Sequence, residues 1–439
     1  MRPDPPHAEK AQVPAAPRGM MHNGGGDVDL HFHGDQETAA GPGRAGRVVD
    51  LAVNVRPDAP PPWLRERLRD SLSRVARYPD QREAVSAAAR RHGRGAGEVL
   101  LTAGAAEAFT LIARAFTPRR AVVVHPQFSE PEAALRAAGH RVERLILAPD
   151  FTLDPGTAGA AVPPDADLVV VGNPTNPTSV LHPAGTLAAL ARPGRILVVD
   201  EAFADCVPGE PESLAGRPDL PGLVVVRSLT KTWGLAGLRV GYLLAAAEAV
   251  RQLKAVQPSW PVSAPALTAI EACSSKRAVA EAGAWARRIG AERDRLVAAL
   301  TRIAGVHVVP GPRASFVLLR ADGRPDVRER LAARGFAVRR GSTFPGLGPE
   351  WVRAAVRDRA TTDAFAAAVA AVLGEAPRPG GPARPGSASG WPARPDEGGR
   401  APRWPARPDE GGRAPGWPVR PDEGGRAPGW PAHPDEGGR

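Results

Sequence analysis

Lys231 lies in a run of small and polar residues, Ser228-Leu229-Thr230-Lys231-Thr232, with Gly234, Ala236 and Gly237 just beyond it. An apolar stretch, residues 223–226, comes immediately before. A lysine in such a turn can bring its amine against a flat carbonyl compound and form a Schiff base. Lysine becomes a nucleophile near neutral pH when it is desolvated or placed beside another cation. Arg239 follows in the same segment and carries a permanent charge suited to a phosphate.

Three other segments offer complementary chemistry. Thr102-Ala103-Gly104-Ala105-Ala106-Glu107 has the small residues of a helix start, where free backbone N–H groups receive an anion. Asn173-Pro174-Thr175-Asn176-Pro177-Thr178 is forced into an extended loop, because a residue before proline avoids the helical region. Asn176 in that loop can donate a hydrogen bond to a phenolate oxygen. Val199-Asp200-Glu201-Ala202-Phe203 ends an apolar run in two acids, and a carboxylate there can pair with a pyridinium nitrogen. Each segment alone has a plain structural reading: a helix start, a turn or a capping aspartate. Together they supply a partner for every polar atom of pyridoxal 5'-phosphate.

The elements that must position these residues are legible as apolar runs. Residues 121–124, 168–171, 196–199 and 223–226 are short and β-branched, as expected of strands covered on both faces. Helical patterns at 105–116, 131–138 and 183–191 fall between them. Alternation of this kind predicts a mainly parallel sheet in an α/β fold, with ligands at the carboxyl ends of the strands. Residues 271–303 read as one long helix, followed by strand and helix signals at 314–319, 331–338 and 351–356. A helix over 362–373 closes the pattern, so a smaller α+β domain is expected after the first.

The expected organisation is a disordered segment at 1–28, an N-terminal arm and large domain at 29–260, a helix and small domain at 261–374, and a disordered tail at 375–439. In the tail Trp391, Trp404, Trp417 and Trp430 recur every 13 residues in units rich in Pro and Gly. One large apolar residue per unit cannot build a packed layer. Hydrophobic residues make up 43% of the chain, enough for a large core. The formal charge of +10 is spread without a basic block, and with Tyr present only twice it predicts no nucleic-acid partner. No apolar run approaches the length of a membrane span, and no secretory signal opens the chain, so no membrane partner and a cytoplasmic location are expected. Cys206 and Cys273 fit a reducing compartment. No metal site is expected, and His31, His33 and Asp35 read as part of a flexible arm. Gly41-Pro42-Gly43-Arg44-Ala45-Gly46 matches a dinucleotide fingerprint but lacks a preceding strand and a following helix.

With these motifs in order, residues 30–373 resemble the fold-type I pyridoxal phosphate enzymes of the class I/II aminotransferase superfamily. The branch holding histidinol-phosphate aminotransferase and the cobalamin-pathway threonine-phosphate decarboxylase is the nearest in motif. The resemblance implies the pyridoxal phosphate-dependent transferase fold, with a mainly parallel seven-stranded sheet and a smaller α+β C-terminal domain. It implies that Lys231 is the lysine bonded to the cofactor aldehyde, that Asp200 meets the pyridine nitrogen and that Asn176 meets the ring oxygen. Arg239, Ser228 and the backbone at Gly104, Ala105 and Ala106 would hold the cofactor phosphate, and Phe128 would stack on the ring. Tyr78 would reach the cofactor phosphate of a second copy in a homodimer. Arg353 would clamp a substrate α-carboxylate and Arg339 a substrate phosphate, with Asn54 and His33 beside them.

Two departures bear on the reaction. Phe203 stands where the aminotransferases usually carry tyrosine, and Phe is familiar on the decarboxylase side. His33-Gly34 is similar to the start of the decarboxylases. The expected function is therefore decarboxylation of L-threonine O-3-phosphate to aminopropanol phosphate. The alternatives are transamination of histidinol phosphate or a related amine with 2-oxoglutarate, and a non-catalytic cofactor-binding protein that interacts through its Trp repeats.

Overall fold

The computed structural model describes residues 28–39, 48–153 and 161–374. The expectations for the glycine motif at 41–46, for the tail at 375–439 and for nearly all of 1–28 fall outside these residues.

Thirteen strands are described: β1 (Val49–Asp50), β2 (Val99–Thr102), β3 (Ala121–His125), β4 (Val142–Ile146), β5 (Leu168–Gly172), β6 (Ile196–Asp200), β7 (Leu223–Ser228), β8 (Gly241–Ala245), β9 (Val306–Val308), β10 (Phe316–Ala321), β11 (Phe336–Ala337), β12 (Arg339–Arg340) and β13 (Trp351–Ala355). Seven of them form one sheet in the order β2-β8-β7-β6-β5-β3-β4. Six run in one direction, and β8 is antiparallel to both of its neighbours. The β-branched runs read from sequence are β3, β5, β6 and β7.

Alternation along these strands divides two apolar cores. Val122, Val169, Val199 and Val225 pack on one face, and Val123, Val170, Val198, Val224 and Val226 on the other. Both faces are covered, which is why these strands are continuously apolar. The helix Gly104–Ala115 lies on the second face, through Phe109 and Ile112.

The remaining strands build the small sheet, β12-β13-β10-β9, and the parallel pair β1-β11. Phe365, Val369 and Val372 of the helix Arg359–Gly374 close its core. The long helix expected over 271–303 is two helices, Ala264–Cys273 and Lys276–Leu300. The break has a local cause. Ser275 adopts extended backbone and accepts a hydrogen bond from the Ala278 N–H, so it caps the second helix.

Candidate functional site

The four chemical segments all leave the same edge of the seven-stranded sheet. β2 passes through Ala103 into the helix Gly104–Ala115, β5 runs into the Asn-Pro loop, β6 ends at Asp200, and β7 ends at Ser228. Asp200 is the register partner of Val226, so it shares the face on which Ala105 and Phe128 pack. Ala105, Ala106, Phe128, Asn176, Asp200 and Ser228 line one cavity together with Phe203, Lys231 and Arg239.

One end of this cavity suits an anion. Gly104 has φ of +79°, and a Cβ there would lie 2.8 Å from the Arg239 guanidinium. Glycine is required, because any side chain would displace the arginine from the start of the helix. Arg239 is itself left-handed and donates from Nη1 to the Ala236 carbonyl at 3.0 Å. The hydroxyls of Ser228 and Thr230 lie 2.7 Å apart beside it. A helix N-terminus, a guanidinium and two hydroxyls together make a phosphate cradle.

Asp200 and Lys231 form the reactive middle. Burial pushes the Asp200 carboxyl up to about 6, while the Ala202 N–H and the charge of Lys231 act against the rise. Lys231 keeps some exposure through the cavity it lines, yet dense protein surrounds it. Burial first, then the charges of Arg353 and Arg239, bring its amine down to about 8. Asp200 opposes that shift. The amine sits 5.8 Å from the centre of the Phe203 ring, which stands edge-on to Phe316.

A second cavity of about 400 Å³ shares Phe128, Asn176, Lys231 and Arg239 with the first and adds His33, Asn54, Arg339 and Arg353. Arg353 and Arg339 are directly opposed on β13 and β12. Arg353 donates from Nη1 to Asn176 Oδ1 at 2.5 Å. A guanidinium has donors alone, so this contact fixes the amide orientation and leaves the Asn176 N–H₂ as a donor. Burial and the neighbouring Arg339 hold the Arg353 guanidinium down to about 9.

Tyr78 is not brought to these cavities. It is 76% exposed and stacks on Trp260 with ring centres 4.3 Å apart. Sequence reasoning also missed two groups that surround the site. One is a buried ion network behind Asp200. Arg227 contacts Glu201, Asp205 and Glu210 at 2.9, 2.5 and 2.7 Å, and Arg91 contacts Asp205 at 2.7 Å. The adjacent pairs Asp200-Glu201 and Arg227-Ser228 carried the signal, since neighbours on a strand face opposite ways. The other is Glu37, which had no sequence signal.

Pyridoxal phosphate fits these residues. Arg239, Ser228 and the start of the helix at Ala105 and Ala106 line the cavity end that suits its phosphate, Asp200 is a carboxylate for its ring nitrogen, and the Asn176 donor is free of Arg353. Arg353 Nε and Arg339 Nη1 are buried without hydrogen-bond partners in the cavity wall and are available to an anion.

Residues 46–369 match the family described as aminotransferase class I and II. A histidinol-phosphate aminotransferase of Mycobacterium bovis is 52% identical over 329 residues, which is 74% of this chain and 86% of that protein. A threonine-phosphate decarboxylase of Salmonella typhimurium is 33% identical over 338 residues, 74% of this chain and 92% of the relative. Among solved structures, an L-threonine-O-3-phosphate decarboxylase from Porphyromonas gingivalis superposes with a TM-score of 0.67 at 25% identity, covering 74% of this chain and 99% of the other. The chain belongs to the class I and II aminotransferase family and is an enzyme of its pyridoxal phosphate-dependent fold-type I group.

Proposed function

We propose that this enzyme decarboxylates L-threonine O-3-phosphate. Pyridoxal phosphate, when bound, supplies an electron sink for a bond broken at the substrate α-carbon. The chain's residues decide the rest. The cradle of Arg239, Ser228 and the backbone of Gly104, Ala105 and Ala106 holds the cofactor phosphate. Asp200 would hold a proton on the ring nitrogen, Asn176 would donate to the ring oxygen, and Phe128 would stack on the ring. Lys231 would anchor the cofactor through Nζ, and the same atom would hold or move a proton.

The observation that carries the decarboxylase reading is the opposed pair Arg339 and Arg353 on one wall of the outer cavity. Residues opposed in an antiparallel pair have Cα atoms about 5 Å apart. Two guanidiniums lining one cavity suit one small molecule with two anionic groups. Threonine phosphate has a carboxylate and a phosphate on one substrate and needs no second one, whereas histidinol phosphate has a phosphate alone and leaves the pair to a co-substrate. Phe203 supports the same reading, because it stands where the aminotransferases usually carry tyrosine and Phe is familiar on the decarboxylase side.

Transamination of histidinol phosphate is the second reading, favoured by the 52% identical relative of that name. In that case the arginine pair serves the two carboxylates of 2-oxoglutarate. One experiment separates them. The purified holoenzyme receives threonine phosphate alone, or histidinol phosphate with 2-oxoglutarate. Carbon dioxide from the first mixture is the expected result, and glutamate from the second without carbon dioxide from the first overturns it. Exposed Leu72, Val75, Tyr78 and Trp260 support a homodimer in which Tyr78 serves the second copy.

A further inference from the structure

Residues 29–37 form a strap along the outer cavity. At one end Ser129 Oγ donates to the Leu30 carbonyl at 2.6 Å, and His33 Nε2 lies 3.4 Å from Glu130. These contacts tie the strap to the loop after β3 that presents Phe128. His33 and Gly34 then line the cavity itself. At the other end Glu37, 7% exposed, is gripped by arginines. Its carboxylate accepts from Arg328 Nε at 2.6 Å and from the backbone N–H and Nε of Arg340, both at 3.0 Å. Burial pushes the Glu37 carboxyl up, but the bonds from Arg340 and the charge of Arg328 outweigh it and leave it below the usual range.

Arg339 is held between this strap and the fold. Its guanidinium lies 4.8 Å from both the Phe32 and the Phe344 rings, and Nη2 donates to the Phe32 carbonyl at 2.5 Å. The residue is 3% exposed. Nη1 is ion-paired with Glu37 at 3.7 Å, too far for a hydrogen bond, and makes no hydrogen bond of its own. A buried donor left unmade is costly unless a ligand completes it.

We propose that Glu37 is a positioning residue for phosphorylated substrates: it clamps the strap to Arg328 and Arg340 and so holds Arg339 with Nη1 open to a phosphate monoester dianion. This rests on the reading that a substrate phosphate enters at Arg339. The sign of one effect tests it. A carboxylate beside an anion site repels the anion, so if Glu37 acted through charge alone, its neutralisation would tighten phosphate binding. If it positions Arg339, neutralisation weakens binding.

The experiment measures dissociation constants of the holoenzyme for propyl phosphate and for butyrate by calorimetry. The wild type is expected to prefer propyl phosphate. Glu37→Gln should weaken propyl phosphate about tenfold, the scale of one charge-assisted hydrogen bond. Butyrate affinity and the visible cofactor absorbance should stay constant, and Glu37→Asp should recover part of the loss. Unchanged or tighter propyl phosphate binding in Glu37→Gln overturns the proposal. Should that variant lose its cofactor, Phe32→Leu tests the clamp without breaking an ion pair. Weaker propyl phosphate binding then supports the proposal, and unchanged binding overturns it. A wild type without preference overturns the phosphate reading and this proposal with it. A preference kept equally by both variants overturns this proposal alone.

Discussion

A lysine amine near 8 and a carboxylate near 6 in one cavity define a pH window for cofactor capture. The amine attacks an aldehyde when unprotonated, so capture should accelerate as pH rises through about 8. Below about 6 Asp200 takes up a proton and loses the charge that pairs with the ring nitrogen, so retention should fail there. Arg353 helps depress the Lys231 amine, and Arg353→Met should move the upper midpoint to higher pH. Visible absorbance after mixing apo-enzyme with pyridoxal phosphate measures both. An identical midpoint in the two proteins would show that Arg353 does not tune Lys231. Lys231, Asp200, Asn176 and Arg239 were legible because their types sit at the ends of apolar runs. The Arg353–Asn176 bond was not, since it joins residues 177 apart in sequence. The grip of Arg340 on Glu37 spans 303 residues and was equally hidden.

Strands covered on both faces write themselves into sequence as β-branched runs, and β3, β5, β6 and β7 were read that way. The split between the helices Ala264–Cys273 and Lys276–Leu300 was not read. The alanine-rich pattern continues across Ser274 and Ser275, and the cap is one hydrogen bond. The network at the β6 and β7 ends belongs to this scale as well, because it joins the two strands that present Asp200 and Ser228. Arg227 is fully buried among Glu201, Asp205 and Glu210. Arg227→Ala should lower unfolding stability by about 3–5 kcal/mol, because it leaves buried carboxylates uncompensated. Stranded carboxylates have folded-state pKa values above their unfolded ones, so the variant should lose stability as pH rises. Urea midpoints at acidic and alkaline pH measure this. A loss independent of pH would place the cost in packing instead of charge.

At the scale of the whole chain, the question is where the enzyme stops. The family match ends at residue 369, and the last described helix ends at Gly374. That helix belongs to the core: Phe365, Val369 and Val372 are buried, and Arg324 donates to the Leu373 carbonyl at 2.9 Å. Every residue assigned to the cavities lies before it. Truncation after Gly374 removes the four Trp units and should leave kcat/KM within about twofold of the full chain, because every residue assigned to the cavities is kept. Truncation after Ala364 removes buried Ala368 and three large buried side chains, Phe365, Val369 and Val372, at roughly 1.5–3 kcal/mol for each of the three, a sum comparable to the stability of an ordinary domain. The shorter protein should therefore unfold or aggregate. Steady-state kinetics and thermal melts of the two truncations decide the boundary. A large activity loss on the first cut would mean that the Trp units contribute to turnover, and that the enzyme extends past its last described helix.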